Sequence, residues 1–295
     1  MRLTFIFCFF SGLLFAQPGY DIYSPEGPLS KLLPADEIKS RRIKRIYAEV
    51  AVKNENDRIR KTGRQFVFEY DRQGKALWLA ELPSPASTDT ILTLWHRNKD
   101  STLLIKRKFE RGQFYTSYVR FDSLQRPRKF ITCTETSEGE SPRYFKPLNQ
   151  YVTSLETIKY EIPVEGQVKK RFFNDNGVVY KEGIEYTKQG KLFSEEYTYV
   201  ATGMRVRVNY RYNDEGKLTE RIYYTDAAGE YVETLEMKYE NNKLSGERFF
   251  RNTVPVVERF FFYRKDDGLP ESILTRNTGT YIMDFFNLRY EFYAD

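Results

Sequence analysis

A chain of 295 residues with 47 Lys and Arg against 41 Asp and Glu, net +6, has the charge content of a globular protein and excludes both a disordered polymer and a highly basic nucleic-acid tail. One His and two Cys leave no set of imidazoles or thiolates from which a metal centre could be assembled in one chain, and a single imidazole for any nucleophile triad. What the composition has in excess is aromatic, with 23 Phe, 23 Tyr and 2 Trp.

Residues 1–16 hold one basic residue, Arg2, an apolar run Phe5–Phe10 resumed at Leu13–Phe15, and the small residue Ala16 before Gln17-Pro18-Gly19. This is the pattern of a secretory signal peptide, with cleavage expected between Ala16 and Gln17. Ser11, Gly12 and Pro18 cut the run short of the ~18 apolar residues that a spanning helix needs. Cys8 follows Phe-Ile-Phe instead of the small residues that precede a lipid-modified Cys. Loss of the leader removes Cys8, so Cys133 is left without an intramolecular disulfide partner. In Phe130-Ile131-Thr132-Cys133 it is expected to be a small apolar residue on a strand.

Residues 17–42 form an arm in which Pro34–Arg41 has the signature of a short helix, with Pro and acids in its first turn. The basic cluster Lys39–Arg45 is expected to be a solvated face, with no nucleic-acid partner. Residues 43–295 are expected to form one β domain, with 138–150 the place where it would subdivide. Strands are predicted at 43–53, 65–70, 76–82, 90–97, 102–110, 114–122, 129–136 and 151–162. The regular block then supplies 178–186, 191–200 and 204–213, followed by 232–240, 244–251, 256–265, 272–276 and 281–292. Pro83–Ser87 and Glu138–Pro147 are loops.

The middle of the chain repeats. Phe173, Tyr186, Tyr199 and Tyr212 stand 13 residues apart, and each is followed four residues later by a glycine, Gly177, Gly190, Gly203 or Gly216. In Asn174-Asp175-Asn176-Gly177 and Asn213-Asp214-Glu215-Gly216, Asn suits the start of a type I turn and Gly the left-handed residue that closes a three-residue hairpin. Asp71-Arg72-Gln73-Gly74 fits the same frame, and 187–190 and 200–203 are expected to follow it more loosely. Gly229 and Gly268 continue the turns after Tyr224 and Tyr263. Between turns the residues alternate, with Met204, Val206, Val208, Tyr210 and Tyr212 on one side and Arg205, Arg207, Asn209, Arg211 and Asn213 on the other. That is an antiparallel strand with one apolar and one wet face. Val178, Tyr180, Ile184 and Tyr186 are likewise expected to share a buried face, whereas 191–200 alternates poorly and should contain a bulge or lie at an edge. One tight turn per strand makes an all-β meander.

Phe68-Glu69-Tyr70-Asp71-Arg72-Gln73-Gly74-Lys75-Ala76, Tyr210-Arg211-Tyr212-Asn213-Asp214-Glu215-Gly216-Lys217-Leu218 and Ile184–Leu192 resemble the Tyr-Asp (YD) repeats of the Rhs type found in exported bacterial proteins. The resemblance implies hairpins laid side by side into an extended, curved or partly closed sheet used for binding or enclosure, and it brings no catalytic residues. Repeat length departs from that family, and Asp follows the Tyr only at Asp71.

Chemistry-bearing motifs are absent. His96, in Leu94-Trp95-His96-Arg97, has no nucleophile elbow beside it, and no phosphate loop or EF-hand pattern occurs. Carboxylates remain the one catalytic option, since glycoside hydrolysis needs only two of them. Most lie beside Lys or Arg, as in Lys181-Glu182 and Glu220-Arg221, and are expected to pair across strands on the wet face. Phe249-Phe250 and Phe260-Phe261-Phe262-Tyr263 put rings on both faces, so the sheet there should be covered on both sides. The reading is a periplasmic or extracellular, non-enzymatic protein with no cofactor, presenting a surface to an envelope or extracellular protein or glycan. The alternatives are an outer-membrane β-barrel, which has strands of this length and alternation, and a carboxylate-dependent enzyme acting on glycans.

Overall fold

The computed structural model describes residues 32–54, 57–82, 91–97, 102–110, 113–138, 146–226 and 231–294. The expected leader with its Ala16–Gln17 junction, Gly229 and the Pro83–Ser87 loop lie outside these residues. A short helix, α1 (Ala35–Ser40), begins after Pro34, with Asp36 and Glu37 in its first turn and Lys39 in its last, the order that complements the helix dipole. Strands β1 (Ile43–Asn54), β2 (Arg60–Tyr70), β3 (Ala76–Leu82), β4 (Ile91–Arg97), β5 (Thr102–Glu110), β6 (Gln113–Phe121), β7 (Pro127–Ser137), β8 (Pro147–Glu161) and β9 (Gln167–Phe173) follow. The second half consists of β10 (Val179–Lys188), β11 (Lys191–Tyr199), β12 (Arg205–Tyr212), β13 (Leu218–Thr225), β14 (Tyr231–Glu240), β15 (Lys243–Arg251), β16 (Val254–Tyr263), β17 (Pro270–Asn277) and β18 (Ile282–Phe292).

Each strand pairs antiparallel with the next, including β7 with β8 across residues 138–146, and β1 pairs with β18 from Ile43–Phe292 to Asn54–Ile282. Among the described residues, the all-β meander with the short helix α1 is therefore closed into an eighteen-strand barrel. This corrects the expected extended or partly closed sheet, and with it the YD resemblance, which implied hairpins in an extended array. The physical reason is the edge. A meander that stopped short would leave the N–H and C=O rows of β1 and β18 unpaired, and closure satisfies both.

Residues brought opposite each other by the register show which face is inside. Phe261–Ile273–Phe286–Val50 and Leu288–Ala48–Phe66 form continuous cross-strand rows of buried side chains. They belong to one cluster with Leu235, Met237 and Leu244, and with Leu32, Leu33 and Ile38 around α1. In a closed ring, side chains from so many strands converge only on the inside, so this face is the lumen. Eighteen strands of circular section would leave an aqueous channel. Here Ile46, Ala48 and Ile273 are fully buried, which requires the opposing wall and α1 to close down on them. The lumen at this end is a core.

The outer wall is wet along β9–β16 and around the β18–β1–β2 seam, whereas on β4–β7 the residues of that face, Leu92, Arg107, Thr116 and Glu135, are buried. Arg45–Glu69, Arg171–Glu182, Arg211–Glu220 and Arg248–Glu258 join neighbouring strands at 2.6–3.4 Å, and Arg207 pairs with Glu196 and Arg289 with Glu49. Glu220 and Glu182 are thus placed in cross-strand pairs outside, but Lys181 is not. A register shift between Val179 and Lys181 turns β10 over, so that Lys181, Gly183 and Glu185 face inward and Ile184 faces out, the reverse of the apolar face expected from alternation. Two strands escaped sequence reading, β9 and β13, because Gln167-Val-Lys-Lys-Arg and Leu218-Thr-Glu-Arg interrupt the apolar period with charge. The bulge expected in 191–200 falls at Phe193, the unpaired residue between Leu192 and Ser194.

Turns at the α1 end interlock. Asp71, Asp122 and Asn213 each accept hydrogen bonds through Oδ1 from the backbone N–H four residues on, closing three-residue hairpins, and Asn174 does the same at the other end. Backbone N–H groups of Leu124 and Arg126 and the Arg126 guanidinium outweigh the burial of Asp122 and hold its carboxyl below the ordinary carboxylate range. The 187–190 segment departs from the frame expected for it. Lys188 and Lys191 are directly paired, and Gln189 and Gly190, at φ 53° and 75°, form a two-residue turn. At 200–203 a longer turn closes from Tyr199 N–H to Met204 C=O. Gly74, Gly177, Gly203, Gly216 and Gly268 all have φ between 68° and 79°.

Each hairpin at this end also holds the next. The hydroxyls of Tyr160, Tyr212, Tyr239, Tyr263 and Tyr290 donate to the carbonyls of Pro127, Leu192, Leu218, Leu244 and Pro270 on the preceding strand, at 2.5–3.0 Å. A cation from the preceding turn lies over each ring at 4.4–5.4 Å, in the order Arg126, Lys191, Lys217, Lys243 and Arg264. Lys217 and Lys243 then donate to the carbonyls of Asn242 and Gly268 in the next turn. Lys191 Nζ also passes close over Gly216, 2.1 Å from where a Cβ would stand, a contact that the flexible lysine end could relieve by moving.

Gly74 seats the helix. A Cβ on it would stand 2.0 Å from the Ala35 carbonyl oxygen and 3.0 Å from Lys39 N, whereas nothing lies within 4 Å of the corresponding point at Gly177. Gly177→Ala should cost about 1–2 kcal/mol, the strain of a left-handed alanine alone. Gly74→Ala should cost more than twice that in urea unfolding and should expose α1 to proteolysis. Equal losses in the two variants would refute the seating of α1 on the β2–β3 turn.

Candidate functional site

The polar part of the lumen lies along β8–β13, beyond the apolar core. It exists because the turned-over β10 puts charge where its neighbours put Val206, Val208 and Ile158. Lys170 on β9 pairs with Glu185 on β10 and approaches Glu195 on β11 at 3.9 Å. Glu195, almost fully buried, accepts hydrogen bonds from the hydroxyls of Tyr197 at 2.8 Å and Tyr210 at 2.5 Å. Closer to the far mouth, Lys181 is 6% exposed. Its Nζ sits 3.7 Å from the centroid of Phe172, with the rings of Tyr197 and Tyr199 at 5.5 and 6.0 Å. Gly183 makes this packing feasible, since a Cβ there would meet the Tyr197 ring at 2.6 Å.

A second buried pair joins the walls near the seam. Arg259 on β16 donates to Glu247 on β15 at 2.6 Å and to the Thr275 hydroxyl on β17 at 3.3 Å, with both charged side chains 3% exposed or less. The opposite face of β5–β7 carries another network, in which Glu135 receives hydrogen bonds from Arg107, Thr116 and Tyr118. Cys133 is buried beside it, with Sγ 3.3 Å from Gln150 Nε2. His96 falls in β4, its backbone opposite Leu103. Among the described residues no three His, Cys, Asp or Glu side chains are grouped to hold a metal, and no helix is long and apolar enough to cross a membrane, which says nothing of strands.

Of the aromatics singled out in the sequence, Phe261 is in the lumen core, while Phe260 and Phe262 on the outer wall are 37% and 48% exposed. At the mouth closed by α1, a cleft of about 320 Å³ lies between Leu32, Pro34 and Glu37 and the ladder residues Lys217, Tyr239, Lys243 and Tyr263. The lumen charges were missed by sequence reading. The available signal was that Lys181-Glu182-Gly183 breaks the alternation of its strand.

No family model matches the chain, so the YD resemblance has none behind it, and no curated protein matches it either. Among solved structures it is similar to a porin-like protein from Bacteroides vulgatus, at 12% identity over 82% of this chain and 97% of that one, with a TM-score of 0.36. A porin-like protein from Bacteroides uniformis aligns at 10% identity over 84% and 98% of the two chains, with a TM-score of 0.29. The TcdB2–TccC3–Cdc42 structure aligns at 10% identity over 86% of this chain and 21% of that one, with a TM-score of 0.23. Ring closure rests on this chain's own strand pairing. A closed barrel, not a periplasmic sheet with a free binding face, is what the chain builds.

Arg259→Met alone leaves the Glu247 carboxylate buried without its main partner and should destabilise the protein by about 3–5 kcal/mol. Adding Glu247→Leu should restore most of that loss, because two well-packed apolar side chains replace a desolvated pair. A double variant no more stable than Arg259→Met, measured by urea denaturation, would show that the two charges do not act as a pair.

Proposed function

We propose that the protein is a non-enzymatic β-barrel of the outer membrane, exported by its leader, with a filled rather than a conducting lumen. The observation that carries this reading is the closure of eighteen antiparallel strands into one ring through β1 and β18, the architecture by which a chain without spanning helices satisfies its backbone in a bilayer. Strands of 7–15 residues include many of the ~9–11 residues that a tilted crossing needs. Support for a structural or binding role over catalysis comes from the carboxylates. Glu135, Glu195 and Glu247 are each held by Arg, Lys or Tyr partners.

A second reading, the same barrel standing in water, is favoured by the Arg–Glu pairs on the outer wall. A Lys or Arg at the bilayer midplane costs about 2–4 kcal/mol. Fractionation separates the two. With its own leader, the protein should sediment with envelope membranes, resist extraction by salt and high pH, and require detergent to dissolve. Full recovery as a monodisperse species without detergent would overturn the outer-membrane reading and establish the second.

A further inference from the structure

Toward the far end of the lumen four polar groups share the inner face with no hydrogen-bond or ion-pair partner among the described residues. Lys181 forms no hydrogen bond or ion pair among the described residues, and its contacts are rings, Phe172 nearest at 3.7 Å. Glu156 on β8 faces the same lumen. It stands near enough to bear electrostatically on Lys181 and Tyr199, yet it too makes no ion pair or hydrogen bond. The hydroxyls of Tyr199 and its neighbour Tyr223 on β13 likewise have no hydrogen-bond partner. This contrasts with the adjoining layer, where Lys170, Glu185, Glu195, Tyr197 and Tyr210 satisfy one another.

An ammonium as buried as that of Lys181, 6% exposed, gives up part of its hydration, and the half-buried Glu156 less of it, since the polar atoms of neither are sealed from solvent. Burial over an aromatic face offsets only part of that loss. Lys181 and Glu156 stand on strands separated by β9, roughly 10 Å apart at the backbone, and the lysine chain reaches over the Phe172 ring between them. Opposite charges held apart, three donors on one side and an acceptor on the other, and aromatic walls form a template for a small molecule carrying both charges. Lys181 lies two residues into β10 from the Asn174–Val178 turn, at the end of the lumen opposite α1.

We propose that this end of the lumen binds a small zwitterion of the α-amino acid class, its carboxylate held by Lys181 with the Tyr199 and Tyr223 hydroxyls and its ammonium by Glu156. The site is independent of whether the barrel sits in a membrane or in water, so the two readings fail separately.

The test is calorimetric titration of the purified full chain with the twenty free α-amino acids, each compared with the carboxylic acid lacking the amine and the amine lacking the carboxylate. At least one amino acid should bind saturably at one site per chain, with both truncated analogues at least tenfold weaker. Lys181→Met and Glu156→Gln should each weaken that binding at least tenfold, and Tyr199→Phe with Tyr223→Phe by a smaller factor, with the circular dichroism spectrum unchanged. Glu156→Gln and the paired Tyr variant keep the test open should Lys181→Met fail to fold. No saturable binding by any of the twenty, binding of the carboxylate analogue as tight as that of the amino acid, or affinity unchanged in Glu156→Gln would overturn the proposal.

Discussion

The seam between β1 and β18 is the constraint on which the rest of the molecule depends. It joins residues about 240 positions apart, Glu49 opposite Asn287 and Val50 opposite Phe286, and until it forms the chain has two unpaired edges and no inside. The lumen follows from it, because only a closed ring gives Ile46, Ala48, Phe66, Ile273 and Phe286 a common interior to fill. So does the seat of α1, which rests on turns from both ends of the sequence. Contacts of such sequence separation carry a large loop-closure cost and form late.

What was legible in the sequence was local. Val206, Val208 and Tyr210 alternate with Arg205, Arg207 and Arg211, and the structure puts the first set inside and the second outside. Asp71, Asn174 and Asn213 announced their turns because an Asx side chain and a left-handed glycine are chemical requirements of that hairpin. Closure left no such trace, since β1 and β18 look like any other strands and only the absence of a terminal edge distinguishes them. Facing failed in β10 for a related reason. A one-residue register shift exchanges inside and outside, and in the apolar series Val178, Tyr180, Ile184 and Tyr186 the shift between Val179 and Lys181 turned Ile184 and Tyr186 outward.

The candidate site was hidden by that same inversion. Lys181 beside Glu182 looked like one more exposed pair, and Glu182 does pair outside with Arg171. Its neighbour points the other way, into a layer where Gly183 clears space for the Tyr197 ring. A wall that is charged outside and mixed inside also differs from that of a water-filled channel. The apolar rows from β14 through β3 behave as the core of a soluble domain wrapped into a tube, and the polar layer along β8–β13 is where that core gives way.

The interlocking tyrosines and cations have a consequence for how such a barrel could have arisen. Tyr212, Tyr239, Tyr263 and Tyr290 recur every 24–27 residues, and each donates its hydroxyl to the hairpin before it while its partner cation comes from that same turn. A two-strand unit therefore carries its own complete set of joints, one half offered forward and one half offered back. Copying or deleting such a unit in the gene leaves every remaining joint matched and changes the circumference by two strands, so that the refitting falls on the lumen core. Lineages of this barrel would grow and shrink in even steps, with the seam and the helix seat held constant while the number of hairpins between them drifts.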